Sequence, residues 1–316
     1  MQKPTFLESD QVSHASSLVS EIEEGLLAEA ASISPKFLYD QLGAHLFTAI
    51  TFLPEYYPTA VETGLLAHYK NEIAAAVGLN PVLIDLGAGD CKKAARLFES
   101  IKPSSYVAVD FSVDYLKEAL EKLQSQYAEI PMYGIGMDFS RTLTLPTTIT
   151  QTPRTFFYPG SSIGNFLPNE AQALLSQIKR EALGGGLLIG VDLMKADHVL
   201  QLAYDDPLKI TAAFNLNILR SVNAMIGSNF DVGHFCHKVL INHSKERVEL
   251  YLEAQLDTTV SWQGKQRSFK KGELIHTENS HKYSITSIRD LLNRSGFHSL
   301  KFWTDPQQYF ALIYAQ

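Results

Sequence analysis

Long apolar runs are missing from this chain. No uninterrupted stretch approaches the roughly 20 residues that a membrane-spanning helix needs. The N-terminus carries Glu8, Asp10, Glu21, Glu23 and Glu24 without an apolar core segment, so no signal peptide is expected. Cysteine is scarce: Cys91 and Cys236 lie far apart, so there is no disulfide framework, and a reducing, cytoplasmic location is expected. Basic runs stop at Lys92-Lys93 and Lys270-Lys271, and the net charge is −7, which leaves no electrostatic footprint for nucleic acid. Repeats and low-complexity segments are also absent. Acidic charge without charged tails favours a monomer. What remains is a globular chain of 316 residues, 45% hydrophobic, with room for one large domain or two.

From about residue 60 the pattern alternates. "VETGLLAHYKNEIAAAV" reads as a helix, "PVLIDLGAG" as a buried strand entering a glycine turn, "CKKAARLFESI" as a helix and "SYVAVDFS" as a second strand. "SVDYLKEALEKLQSQY" begins at Ser112, a good N-cap. "MYGIGMDFS" and "RTFFYPGSSIGNF" read as strands three and four, "PNEAQALLSQIKREAL" as a helix and "LLIGVDL" as strand five. Continuous apolar strands between amphipathic helices imply a mostly parallel α/β sheet covered on both faces. The alternation then stops until "SITSIRDLLNRSGF" and a terminal hairpin, "SLKFWTD" with "YFALIYA". The expected organisation is a sheet domain over 60–195 and 282–316, interrupted by a second α+β domain formed from 1–59 and 196–281.

"VLIDLGAGDCKK" places Asp85, Gly87 and Gly89 where a strand turns into a helix, and Asp110 closes the next strand, where doubly wound folds grip a ribose diol. A dinucleotide fingerprint would want a third glycine where this chain has Asp90, Cys91 and Lys92, which disfavours NAD and FAD. The D-x-G-x-G form, Asp110, the acid Asp138 of "GMDF" and the terminal hairpin together point to S-adenosyl-L-methionine.

Beyond the sheet, "SPKFLYDQLGAHLFTAITFLPEYYPT", "GSSIGNF", "AYDD…TAAFNLNILR", "TENSHK" and "FWTDPQQYFALIYA" follow one another from about residue 33 to the end. These segments resemble the histidine Nα-methyltransferases of ergothioneine biosynthesis, which trimethylate L-histidine to hercynine. The resemblance implies a Rossmann-like class I methyltransferase sheet, mostly parallel with an antiparallel terminal strand, and an inserted substrate-binding domain. It implies that Tyr39, Gly87, Lys93, Asp110, Asp138 and Phe139 hold the cofactor. The amino acid would meet Tyr56, Gly160, Asn165 and Tyr204, with Thr211, Phe214 and Leu250 lining its pocket and Glu278 and Ser280 bonding the imidazole. Tyr56 and Asn165 are the expected catalytic pair, a hydroxyl to accept or relay a proton and an amide to orient the amine.

Plainer readings stand beside these. Tyr57 reads as core, Asp205-Asp206 as a solvated turn before Pro207, and His276 as support for its strand. "HFCH" (His234, Cys236, His237) lacks a second close ligand pair, so no metal is expected. The family pattern has a methionine where Leu250 stands, a swap that roughly conserves volume. It also often has serine or threonine near the bend that here reads "GAGDCKK". The alternative function is a related N-methyltransferase acting on another amino acid or a tryptophan-derived amine. Against it stand Glu278 and Ser280, because an apolar indole pocket disfavours a carboxylate. A catalytically silent binding protein would show degraded cofactor motifs, and these are intact.

Overall fold

A computed structural model describes residues 3–7, 15–149 and 153–316. Residues 1, 2 and 8–14, expected as part of a loose helical N-terminus, lie outside the described residues, as do 150–152. In chain order, β1 (Thr5–Leu7) precedes helices α1 (Ala15–Leu27), α2 (Gln41–Ile50), α3 (Tyr57–His68) and α4 (Lys70–Val77). Alternation follows through β2 (Val82–Leu86), α5 (Lys92–Ile101), β3 (Ser105–Asp110), α6 (Val113–Gln126), β4 (Met132–Gly136), β5 (Arg154–Tyr158), α7 (Pro168–Glu181) and β6 (Gly186–Asp192). Next come α8 (Asp197–Tyr204), α9 (Ile210–Ile226), β7 (Phe235–Asn242), β8 (Arg247–Ala254), β9 (Thr258–Trp262), β10 (Lys265–Phe269) and β11 (Leu274–His281). Helix α10 (Ile285–Arg294) and strands β12 (Leu300–Thr304) and β13 (Phe310–Ala315) close the chain. No helix among the described residues is long and apolar enough to cross a membrane.

The chain divides into two compact units, the first Met1–Val12, Pro58–Met194 and His281–Gln316, the second Ser13–Tyr57 and Lys195–Ser280. Unit one holds an eight-stranded sheet in the order β1-β4-β3-β2-β5-β6-β13-β12. Neighbours from β1 to β6 pair in parallel, while β13 is antiparallel to both β6 and β12. This is the mostly parallel sheet with an antiparallel terminal strand expected of a Rossmann-like class I methyltransferase. Strand β2 shows why the run "VLIDL" makes a central strand. Val82, Ile84 and Leu86 join one core cluster with Val107, Phe156 and Ile189, while Leu83 joins the other with Leu97 and Leu120. Helix α5 buries Ala94, Leu97, Phe98 and Ile101, the spacing of a single helical stripe.

Two features differ from the sequence expectation. Val61–Val77 was expected as one helix, but Tyr69 divides it into α3 and α4. The chain before residue 60 was expected in the second domain, yet β1 pairs with β4 at the edge of the sheet. A strand of three residues is too short to show a period.

The insertion leaves and re-enters unit one side by side. Leu193 and Tyr283 form a parallel bridge, the Tyr283 N–H donates to the Asp192 carbonyl at 2.9 Å, and the Met194 N–H donates to the Tyr283 carbonyl at 3.0 Å. Between them the Lys282 ammonium, fully buried, lies 2.7 Å from the Asp192 carboxylate, which is 1% exposed.

Unit two has a three-stranded sheet, β11-β8-β7, and the hairpin β9–β10. Helix α9 fills its core with Phe214, Ile218, Leu219 and Val222, packed with Ile22, Leu26, Leu252 and Trp262. Asp40 caps α2 by accepting the Gly43 N–H at 2.7 Å, and the same oxygen accepts Asn217 Nδ2 from α9 at 2.7 Å.

The Asp192–Lys282 pair has a direct test. Replacing Lys282→Met takes the ammonium away from a buried carboxylate and is expected to cost about 3–5 kcal/mol in urea unfolding, much of it recovered in Lys282→Met with Asp192→Leu.

Candidate active site

Parallel sheets bind ligands beyond their strand C-termini, where the strand order reverses. In unit one that point lies between β2 and β5, and both are followed by sequence-predicted site residues. After β2, Gly87 and Gly89 have φ of 69° and 52°, the left-handed region that glycine occupies without strain. Little protein fills the space that side chains would take there. A Cβ at Gly87 would meet only Phe139 Cζ, at 4.0 Å, and one at Gly89 only the Gly87 carbonyl, at 4.0 Å.

Asp110 ties this turn to β3. Its carboxylate accepts the Gly89 N–H at 2.9 Å and the Ser112 N–H at 2.8 Å, and burial pushes its pKa up. Each oxygen keeps further acceptor capacity, which suits a ribose diol. Asp85, at the end of β2, is 1% exposed and accepts the Tyr106 hydroxyl at 2.7 Å. Its other oxygen is buried and has no hydrogen-bond partner. Burial, opposed by the Tyr106 hydrogen bond, raises the Asp85 carboxyl to about 7. An orphaned acid beside an open glycine turn fits a ligand with an ammonium or hydroxyls, and S-adenosylmethionine has both. Asp138 accepts the Ser140 N–H at 3.2 Å and the Ser140 hydroxyl, which holds the "GMDF" turn, and neighbouring Phe139 packs edge-on against Tyr158 at 6.0 Å.

A residue that the sequence analysis overlooked, Glu62 on α3, connects the two strand ends. It is fully buried. One oxygen receives the Lys93 ammonium of α5 at 2.6 Å and the other the Gly160 N–H after β5 at 2.8 Å. Gly190 makes room, because a Cβ there would lie 2.1 Å from Glu62 Oε1. Past Gly160 the chain makes a short 3₁₀ turn, Ser162–Asn165, that ends at Asn165. The turn is held at both ends, as Ser161 Oγ accepts the Asp192 N–H at 2.8 Å and the Gly164 carbonyl lies 2.9 Å from His281 Nδ1.

Unit two gathers its own predicted residues around aromatic rings. Tyr39 packs edge-on against Phe47 at 5.5 Å and Phe214 at 5.4 Å, and Tyr56 lies 6.4 Å from Tyr204. The Tyr204 and Ser280 hydroxyls are 2.7 Å apart. Thr211 and Phe214 stand in the first turns of α9, whose opening N–H groups are capped by buried Asp206, at 3.1 Å from Ile210 N and 2.8 Å from Thr211 N. The Asp205-Asp206 pair, expected as a solvated turn, is therefore half structural. Leu250 on β8 is 1% exposed, and its carbonyl accepts the Thr277 hydroxyl at 3.1 Å. Glu278 and Ser280 are both buried on β11. His276 bonds Asn279 at 3.0 Å, a residue of opposite parity, so strand alternation alone does not sort this segment. Tyr57, read as core, is buried, with its hydroxyl accepting from Lys195 Nζ at 2.7 Å.

Glu62, Asn215, His237, Asp192 and Lys282 carry polar contacts that no local spacing signals. Their partners stand tens of residues away, as with Lys93, 31 positions from Glu62, and Gly160, 98 positions from it.

Residues 18–316 match the family model described as histidine-specific, S-adenosylmethionine-dependent methyltransferase. The chain is 33% identical over 313 residues to the histidine N-alpha-methyltransferase of Mycobacterium tuberculosis, covering 93% of each. It is 33% identical over 317 residues to the enzyme of that name from Mycolicibacterium smegmatis, covering 98% of this chain and 97% of the relative. Ergothioneine biosynthesis protein 1 of Schizosaccharomyces pombe is 32% identical over 291 residues, covering 87% of this chain and 37% of that protein. With its glycine turn, both strand-end acids and its match from residue 18 to the C-terminus, this chain belongs to the histidine-specific, S-adenosylmethionine-dependent methyltransferase family.

Proposed function

We propose that this enzyme transfers methyl groups to the α-amino nitrogen of L-histidine three times, giving Nα,Nα,Nα-trimethylhistidine, a step of ergothioneine biosynthesis. The observation that carries the choice of substrate is on β11, where Glu278 and Ser280 are buried two positions apart and Ser280 bonds Tyr204. A carboxylate and a hydroxyl are acceptors that an imidazole N–H matches, and an apolar ring is not.

S-adenosylmethionine, when bound, supplies an electrophilic methyl group. On unit one, Gly87, Asp110, Asp138 and Phe139 are assigned to holding it, the two acids at the ribose and adenine. Lys93 joins them, oriented by Glu62. Tyr39 is assigned to the same ligand by the family resemblance. Tyr56, Gly160, Asn165 and Tyr204 meet the amino acid's α-amino and carboxylate groups. Thr211, Phe214 and Leu250 set the pocket's volume. Most residues assigned to the cofactor lie on unit one, and Glu278 and Ser280, assigned to the imidazole, lie on unit two.

An in-line displacement asks more of positioning than of acid–base chemistry. The nucleophile must be the neutral amine, so a proton leaves before each transfer. Tyr56 accepts or relays it, a role worth about 10²–10⁴-fold when well placed. Tyrosine faces also tolerate the nitrogen as it becomes a fixed cation. The same reading takes the chain as a cytoplasmic monomer without nucleic-acid partners, supported by its net charge of −7 and its two scattered cysteines.

Calorimetry with S-adenosylhomocysteine and a panel of amino acids tests the substrate. Histidine is expected to bind and tryptophan to fail. Tight binding of a tryptophan-derived amine with no histidine binding would favour the alternative activity. Glu278→Ala is expected to lower kcat/KM for histidine by at least about 100-fold, the cost of a lost charge-assisted hydrogen bond. S-adenosylhomocysteine affinity should stay within about threefold, and unchanged histidine kinetics would remove Glu278 from the site.

A further inference from the structure

We propose that His237 is a positioning residue for substrate binding, its neutral imidazole fixing the end of α8 that carries Tyr204. The inference rests on the reading that Tyr204 meets the amino acid. His237 stands on β7, half-buried, and both ring nitrogens are engaged. Nε2 lies 2.9 Å from the Tyr204 carbonyl and Nδ1 lies 2.9 Å from Asn215 Nδ2.

Elimination gives the tautomer. A carbonyl only accepts, so Nε2 carries the proton. Asn215 Nδ2 also donates to the Tyr251 carbonyl of β8 at 3.0 Å, which fixes the amide with its NH₂ group toward both partners. Turning the amide over would set its oxygen against the Tyr251 carbonyl. Nδ1 is therefore an acceptor, and the ring is neutral. Protonating it would place an N–H against the Asn215 NH₂ group, with no acceptor between them.

Tyr204 is thus held at two points, its carbonyl by His237 and its hydroxyl at 2.7 Å from Ser280. The chain joins α9, β7 and β8 through one amide and one imidazole to set a residue on α8. Around the ring, the α8–α9 connection brings Asp205 and Asp206, which favour the charged form, and Lys209, which opposes it. The register partner on β8 is Leu252, and α9 presents Asn215, neither of them charged. Burial outweighs the Tyr204 carbonyl and the two acids, and holds the imidazole below its usual range. The neutral ring is complete above about pH 6.5, its ordinary value. The arrangement is lost as pH falls from there through the lowered folded value.

Four variants test this: His237→Leu, His237→Gln, Asn215→Asp and Tyr204→Phe. His237→Leu removes the imidazole bond to the Tyr204 carbonyl and should raise KM for histidine about tenfold, the worth of one such bond. S-adenosylhomocysteine affinity should not move. His237→Gln retains a donor and should bring KM back to within about threefold of the parent. Asn215→Asp offers Nδ1 an acceptor, so nitrogen-edited NMR of the His237 ring should show both nitrogens protonated at neutral pH, where the parent shows only Nε2. That readout survives even if His237→Leu fails to fold. Parental KM in His237→Leu while Tyr204→Phe raises it would overturn the positioning role. A ring that stays neutral in Asn215→Asp would overturn the tautomer. Parental KM in Tyr204→Phe would overturn the role of Tyr204 and this inference with it.

Discussion

The turn after β5 and the two segments on which the insertion leaves and returns meet around a lysine and an aspartate that water does not reach. Lys282 and Asp192 are 0% and 1% exposed and 2.7 Å apart. Removing two charges from water costs several kcal/mol each, so such a pair persists only with close geometry and satisfied neighbours. Here it ties the end of β6 to the residue just after β11. The Asp192 N–H is spent on Ser161, and His281, next to Lys282, reaches the Gly164 carbonyl. The turn that carries Gly160 and Asn165 is thus fixed from the same two segments through which the insertion leaves and returns. Glu278 and Ser280 precede Lys282 by four and two residues in the chain.

A second buried acid works in the same way beyond β2. Glu62 takes an ammonium from α5 and a backbone N–H from the loop after β5, so the glycine-turn helix and that loop share one carboxylate. A reaction that needs positioning more than proton chemistry is served by groups that cannot swing. Much of the polar apparatus accordingly holds backbone. Asp110 holds the glycine turn and Asp206 the start of α9, while Asp40 caps α2 beside Tyr39.

The sheet was legible in the sequence because its signal is local. The apolar run of β2, the four-residue stripe of α5 and the acid closing β3 each lie within a few positions of their cause. The three residues of β1 fall below that range, and nothing in the residue types near Tyr69 announced a break. Glu62, His237 and Lys282 were out of reach for another reason. Each reads locally as an ordinary polar residue, and its meaning comes from a distant partner: Gly160 for Glu62, Tyr204 for His237, Asp192 for Lys282. The candidate amino-acid residues had no spacing signal either. They came from family resemblance, and the structure adds contacts inside each unit, such as the Tyr204–Ser280 bond, that the resemblance did not contain.

The central claim is that the methyl groups go to the α-nitrogen of histidine, and the product tests it most directly. Histidine labelled with nitrogen-15 would be incubated with the enzyme and S-adenosylmethionine, and the product followed by mass spectrometry and by methyl-to-nitrogen couplings in NMR. The account predicts a histidine that gains three methyl groups, all coupled to the α-nitrogen, with the ring nitrogens unmodified. Methyl groups on the imidazole, or untouched histidine under conditions where a tryptophan-derived amine is consumed, would contradict it.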